Sequence, residues 1–187
     1  MAGCGYLRTG IIQRAEFAST RTPATLKPDF ETKVYTADDR NTADLYLTDI
    51  APAVIEDRRA LAAATGQILH VHMFLRPKPG STPIEESAIS VTVRYIVLVD
   101  GRAGVYSGGG FMLPAGEPNG GRFGGSIPEA TLRLAGKTEG FDDLIEHGIL
   151  KFRGRARRND EVAEIIGRAM DRLAVSVDPV VDAETGG

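Results

Sequence analysis

Two stretches of this chain carry apolar side chains on both phases of a two-residue repeat, and this constrains its fold most. In residues 67–76, Leu69, Val71, Met73 and Leu75 form one phase, and Ile68, His70, His72 and Phe74 form the other. Side chains alternate across a strand, so the segment reads as β with two occupied faces. Pro77, Pro79 and Gly80 end it. Residues 87–100 repeat the pattern over a greater length, with Ile89, Val91, Val93, Tyr95, Val97 and Val99 against Ala88, Ser90, Thr92, Arg94, Ile96 and Leu98. A two-sided strand of that length belongs in the middle of a sheet. Asp100-Gly101 is a hairpin turn signal, which makes 104–113 the returning partner. Gly108-Gly109-Gly110 weakens that partner and is expected to bulge it.

Weaker strands flank these. Residues 31–37 and 43–49 form a hairpin around Asp38-Asp39-Arg40-Asn41. Residues 130–137 and 149–157 alternate again, joined by an acidic connection from Gly140 to Gly148 with a helical turn at Asp142–Glu146. Pro114 to Pro128 reads as a long loop. A short Ala-rich helix is expected over 55–65, with Gly66 as its C′ residue.

The firm helix is 160–174. Val162, Ile165, Ile166, Ala169, Met170 and Leu173 form a continuous apolar stripe. Asn159 or Asp160 caps it, Asp160 and Glu161 suit the positive end of its dipole, and Glu164 faces Arg168 at i,i+4. Small Gly154 and Ala156 would let this helix approach the strand 149–157 closely.

The pattern predicts an α+β fold, a mainly antiparallel sheet of about five to seven strands with the C-terminal amphipathic helix packed on one face. A β-sandwich with a helical appendage is the alternative. The organisation is a tether over 1–28, one domain over 29–177 and a flexible tail over 178–187. The 187 residues suit one domain plus tails, and 42% hydrophobic residues suffice for a core. A net charge of -3 gives no global attraction to nucleic acid. With no Trp and only 7 Phe and 5 Tyr, a stacking platform would be poorly supplied.

Three groups of residues bear on chemistry. His70 and His72 share one face of a strand and can share a metal. Cupins carry such a pair with a Glu close behind, but no acid occurs from Met73 to Pro79, so that resemblance fails. Lys151, Arg153, Arg155 and Arg157 make a basic stripe of period two, extended by Arg158. Arg133 and Lys137 join it if the strands are neighbours. Such a face holds phosphate, carboxylate or anionic lipid, or is a solvated face balanced by acids. The glycines of 108–110 and 120–125 suggest a flexible lip, with Arg122 and Phe123 as contacts, or a mobile hairpin loop. They lack the P-loop Lys-Ser/Thr ending and the dinucleotide fingerprint, and Gly-x-Ser-x-Gly is absent. Catalysis and cofactors are therefore not indicated.

The run Met1-Ala2-Gly3-Cys4-Gly5 resembles the lipobox of bacterial lipoproteins, in which small residues precede a cysteine that is lipidated. Cys4 is the chain's one cysteine, and the Thr, Ser, Arg and Pro that follow suit a tether. The resemblance implies a longer precursor with a signal peptide before Met1, and a mature protein anchored in the cell envelope and facing the periplasm. The expectation is a non-enzymatic envelope lipoprotein, tethered at Cys4, whose domain binds an envelope protein, an anionic polymer or lipid, and no nucleic acid. The alternatives are a cytoplasmic protein and a metal-binding protein or metal-dependent enzyme using His70 and His72.

Overall fold

The computed structural model describes residues 14–77 and 89–180. In chain order the elements are β1 (Arg14–Ser19), β2 (Thr25–Leu26), β3 (Thr32–Thr36), β4 (Ala43–Thr48), α1 (Pro52–Glu56), α2 (Arg58–Leu61) and β5 (Gly66–Met73). They continue with β6 (Val91–Val99), β7 (Arg102–Gly110), β8 (Leu113–Gly116), β9 (Arg122–Lys137), β10 (His147–Arg158), α3 (Asp160–Ser176) and β11 (Asp178–Pro179).

The sheet closes on itself. The strands follow the order β9-β7-β6-β5-β4-β3-β10, and β10 pairs back onto β9. Every pairing in this ring is antiparallel except β3 with β10, where Val34 and Tyr35 meet Arg157 and Arg158 in parallel. Closure leaves the ring without free edges. β1 lies beside the first half of β10, and β2 beside β1. β7 and β8 run in succession along one edge of β9, so the 16 residues of β9 receive both.

The fold is thus mostly sheet with a C-terminal amphipathic helix, as the alternation implies. The strand number is eleven among the described residues, above the five to seven expected, and the sheet is closed rather than a sandwich. Part of the segment expected to be a tether belongs to the sheet: β1 and β2 lie within 1–28, and Phe17 is fully buried. The long loop expected over 114–128 is instead β8, a short connection and the front half of β9. The region 55–65 holds parts of two short helices, and Gly66 opens β5 instead of closing a helix. The helical turn expected at Asp142–Glu146 is irregular chain, where Asp143 accepts hydrogen bonds from the backbone N–H groups of Ile145 and Glu146 at 3.0 Å each.

Closure creates two cores. The inner one fills the ring with Phe17, Tyr35, Leu45, Leu69, Val71, Tyr95, Tyr106, Phe123, Leu150 and Phe152, among others. The outer one lies under the helices, where Ala163, Ile166, Ala169 and Met170 of α3 cover Val34, Ile68, Ile96, Leu98 and Val105. The sequence pairs α3 with the Phe152, Gly154 and Ala156 face of β10, and the structure corrects this. Phe152 and Ala156 point into the ring, while α3 packs outside against β3 and β4 and toward β5 and β6. An apolar strand face can be buried by a helix or by closing the sheet, and the pattern is the same in both cases.

The expected caps and turns are present. The Asn159 side chain accepts from Val162 N–H at 3.1 Å, and Glu164 meets Arg168 at 3.1 Å. At the β6–β7 turn, Asp100 and Gly101 both have positive φ, 49° and 76°, the geometry of a two-residue hairpin. A Cβ on Gly101 would lie 1.9 Å from the Ala62 carbonyl oxygen, so the turn needs glycine for space as well as for φ.

Candidate functional site

The outer face of β10 carries a row of cations. Lys151, Arg153, Arg155 and Arg157 are exposed, and Leu150, Phe152, Gly154 and Ala156 between them are buried, as the two-residue repeat requires. The neighbouring strands extend the row. Arg14 of β1 stands directly opposite Arg153, and Arg122 of β9 directly opposite Arg157. Both are exposed. Opposite residues of an antiparallel pair project from the same side, so the six cations share one face.

Glu16 of β1 and the exposed Glu129 of β9 flank the Lys151 end of this face. None of the six forms an ion pair with a described residue. Glu16 lies opposite Lys151 in the register, but its carboxylate pairs with Lys27 at 3.3 Å. Two acids of the connection between β9 and β10 are engaged elsewhere. Glu146 pairs with Arg21 at 3.3 Å, and Asp143 accepts the Tyr106 hydroxyl. A cavity of about 300 Å³ opens beside Arg14 and Arg153, lined also by Glu16, Lys151, Ser126 and Pro128. It sits where β9 holds one residue more than β10 between Ala130 and Ile127, a bulge that accommodates Pro128.

The strands 122–137 and 147–158 are neighbours, but Arg133 and Lys137 do not join the cluster. Arg133 stands opposite His147, and the Ile149–Thr131 row separates it from Lys151. Lys137 donates to the Phe141 carbonyl at 3.4 Å. Arg158 turns to Asp160, 3.2 Å away. Sequence reading misses Arg14, because it falls in a segment that reads as tether. It proposes Arg122, but for the wrong neighbourhood. The companion suggestion, Phe123, is corrected: its ring is buried in the barrel beside Tyr35, centroids 5.7 Å apart. The glycine lip is corrected with it, since Gly108-Gly109-Gly110 lies inside β7, paired to both β6 and β9.

His70 and His72 sit on the outer face of β5, in phase with Ile68. Both imidazoles meet one oxygen, Asp44 Oδ1 on β4, through His70 Nε2 at 2.7 Å and His72 Nδ1 at 2.8 Å. Tyr46 stacks on His70, centroids 4.5 Å apart and planes 3° from parallel. The acid that local spacing lacks thus comes from the adjacent strand. Among the described residues, no group of three or more His, Cys, Asp or Glu is arranged to hold a metal ion. Here the carboxylate oxygen is the acceptor shared by both rings. Burial pushes the Asp44 carboxyl up, but the hydrogen bonds and charges of His70 and then His72 outweigh it and hold the group below the usual carboxylate range. Burial, then the charges of Asp44 and Asp171, pushes the Tyr46 hydroxyl up to about 12.

The depressed Asp44 carboxyl makes stability fall in acid. A group whose folded pKa is depressed contributes stability that is present above its unfolded value, near pH 4, and lost as pH falls through the folded value. Asp44→Asn should cost about 2 kcal/mol at neutral pH, the scale of hydrogen bonds to a charged group. It should also flatten the loss of stability below about pH 4. Urea unfolding across that range checks this, and parallel acid limbs in the two proteins would contradict it.

Comparisons with family models, with curated proteins and with solved structures gave no match to this chain. Among the described residues, no helix is long and apolar enough to cross a membrane.

Proposed function

We propose that this chain is a non-enzymatic protein of the bacterial cell envelope, held at the membrane through Cys4, whose barrel presents a basic outer face to an anionic partner. The observation that carries the binding half is the set of six exposed cations on β1, β10 and β9 without an ion pair among the described residues. Burying such charges unpaired would be prohibitive, so they face water or an anion. In the envelope the available anions are lipid head groups, lipopolysaccharide and cell-wall polymer. The barrel interior is packed with aromatic and aliphatic side chains, which directs attention to the outer surface.

The anchoring half rests on the Ala2-Gly3-Cys4 run, which lies outside the described residues. One acyl chain binds a membrane only marginally, so firm anchoring takes the several chains of lipoprotein modification. With the full precursor expressed in its host, Cys4→Ser should move the protein from the membrane to the soluble fraction, and an unchanged distribution would overturn the anchor. Arg153→Gln with Arg155→Gln should leave the melting temperature nearly unchanged, because exposed charges contribute little to stability. The same variant should pellet less with vesicles containing anionic lipid, and equal pelleting would return the row to a solvated face.

A further inference from the structure

We infer that the basic face holds two phosphate seats, one at Arg14 and Arg153 and one at Arg122 and Arg157, and that its ligand is a linear phosphate polymer that bridges them. This rests on the reading of the face as an anion-binding surface. The register carries the argument. Arg14 is the direct antiparallel partner of Arg153, and Arg122 is the direct partner of Arg157. Like charges directly opposite on a sheet repel; neither pair has an ion-pair partner among the described residues, and the nearby Glu16, which lines the same cavity as Arg14 and Arg153, pairs with Lys27. Two such pairs lie on one strand, and an anion seated between the guanidinium groups would relieve their mutual repulsion.

The chemistry of the forks selects the anion. One guanidinium fork engages both oxygens of a carboxylate, and that single negative charge is then shared if a second Arg joins. A phosphate offers more oxygens and more charge, and can accept from two forks at once. The spacing selects the polymer. Arg153 and Arg157 are four residues apart on an extended strand, so the seats are separated by about 13 Å. Arg155 stands midway, on the same side, and Lys151 continues the row beyond the first seat. A single phosphate reaches one seat, whereas a chain of phosphates laid along β10 meets both seats and Arg155. The cavity beside Arg14 and Arg153, lined also by Ser126 and Glu16, adjoins the first seat.

The test is titration of the full chain with inorganic phosphate, pyrophosphate and inorganic polyphosphates of increasing length. Four proteins are compared: wild type, Arg14→Gln/Arg153→Gln, Arg122→Gln/Arg157→Gln, and Arg58→Gln/Arg59→Gln. The last removes two exposed cations of α2, away from the face. In the wild type, affinity should rise ~100-fold between pyrophosphate and a chain that spans both seats, as linked binding provides. Either seat variant should lose most of that step, and the α2 variant should keep it. Poly-L-glutamate should bind the wild type more weakly than polyphosphate of matched charge. A step that survives in both seat variants, a wild type without a step, or poly-L-glutamate binding as tightly would each overturn the inference. A wild type that binds anionic vesicles yet shows no length step overturns the two seats alone. A wild type that binds neither vesicles nor any phosphate overturns the anion-binding surface as well.

Discussion

Phe17→Ala is expected to cost the fold about 4 kcal/mol, the usual scale for truncating a fully buried aromatic side chain. Phe17 is 0% exposed, and its ring lies 5.2 Å from Tyr95 and 5.1 Å from Tyr106, the latter edge-on. It enters the inner core from β1, a strand of six residues beside β10. Removing the ring leaves a cavity between two tyrosines whose backbones are fixed in β6 and β7, so the site cannot collapse to fill it. Urea unfolding gives the cost directly. A loss below about 1 kcal/mol, the level of an ordinary surface change, would mean that β1 is an attached tether and not a wall of the core.

Gly108→Val is expected to be at least as damaging, for the opposite reason. A Cβ at position 108 would lie 1.8 Å from the Thr131 carbonyl oxygen, which is backbone in β9. No rotamer change relieves a contact with backbone, so β7 and β9 must separate. Their separation opens the ring, since β9 is the strand through which β7 and β10 are joined. Overpacking a core usually costs about 1–3 kcal/mol, and loss of ladder hydrogen bonds adds to it. Thermal unfolding should show a fall of roughly 10 °C in Tm, given about 2–4 °C per kcal/mol for a chain of this size. Gly121→Ala is the control, because a Cβ there meets nothing within 4 Å. A Gly108→Val protein as stable as the control would contradict the close approach of β7 and β9.

The strands whose apolar residues alternate without interruption are legible in the sequence. β5, β6 and β10 follow from Leu69-Val71-Met73, Val91-Val93-Tyr95 and Leu150-Phe152, and α3 follows from its stripe. What is lost is lost to glycine and proline. The front half of β9 reads Arg122-Phe123-Gly124-Gly125-Ser126-Ile127-Pro128, and β8 reads Leu113-Pro114-Ala115-Gly116. These residues signal turns by propensity, yet here they permit close approach, a bulge and an edge. β1 is hidden because Ala15 and Phe17 alone carry its inward face. Closure is not legible, since it depends on β3 meeting β10 across more than a hundred residues through two residue pairs.

The candidate site divides along the same line. The row Lys151 to Arg157 is visible because a strand repeats every two residues. Arg14 and Arg122 are invisible as its members, because their place depends on which strands flank β10. Asp44 is missed as the partner of His70 and His72 for the same reason: it is a cross-strand neighbour, far away in sequence.

The central claim is that the outer face of β10 is an electrostatic binding surface, and the salt dependence of binding tests it most directly. Affinity for vesicles of fixed anionic lipid content should be measured in wild type and Arg153→Gln/Arg155→Gln as salt is raised from about 0.05 M to 0.5 M. Exposed charges farther apart than the Debye length are screened, and that length falls from about 10 Å at 0.1 M to about 3 Å at 1 M. Wild-type affinity should therefore fall steeply with salt. The variant should bind more weakly at low salt, with a shallower slope, and the two curves should converge at high salt. Parallel curves of equal height would contradict the account.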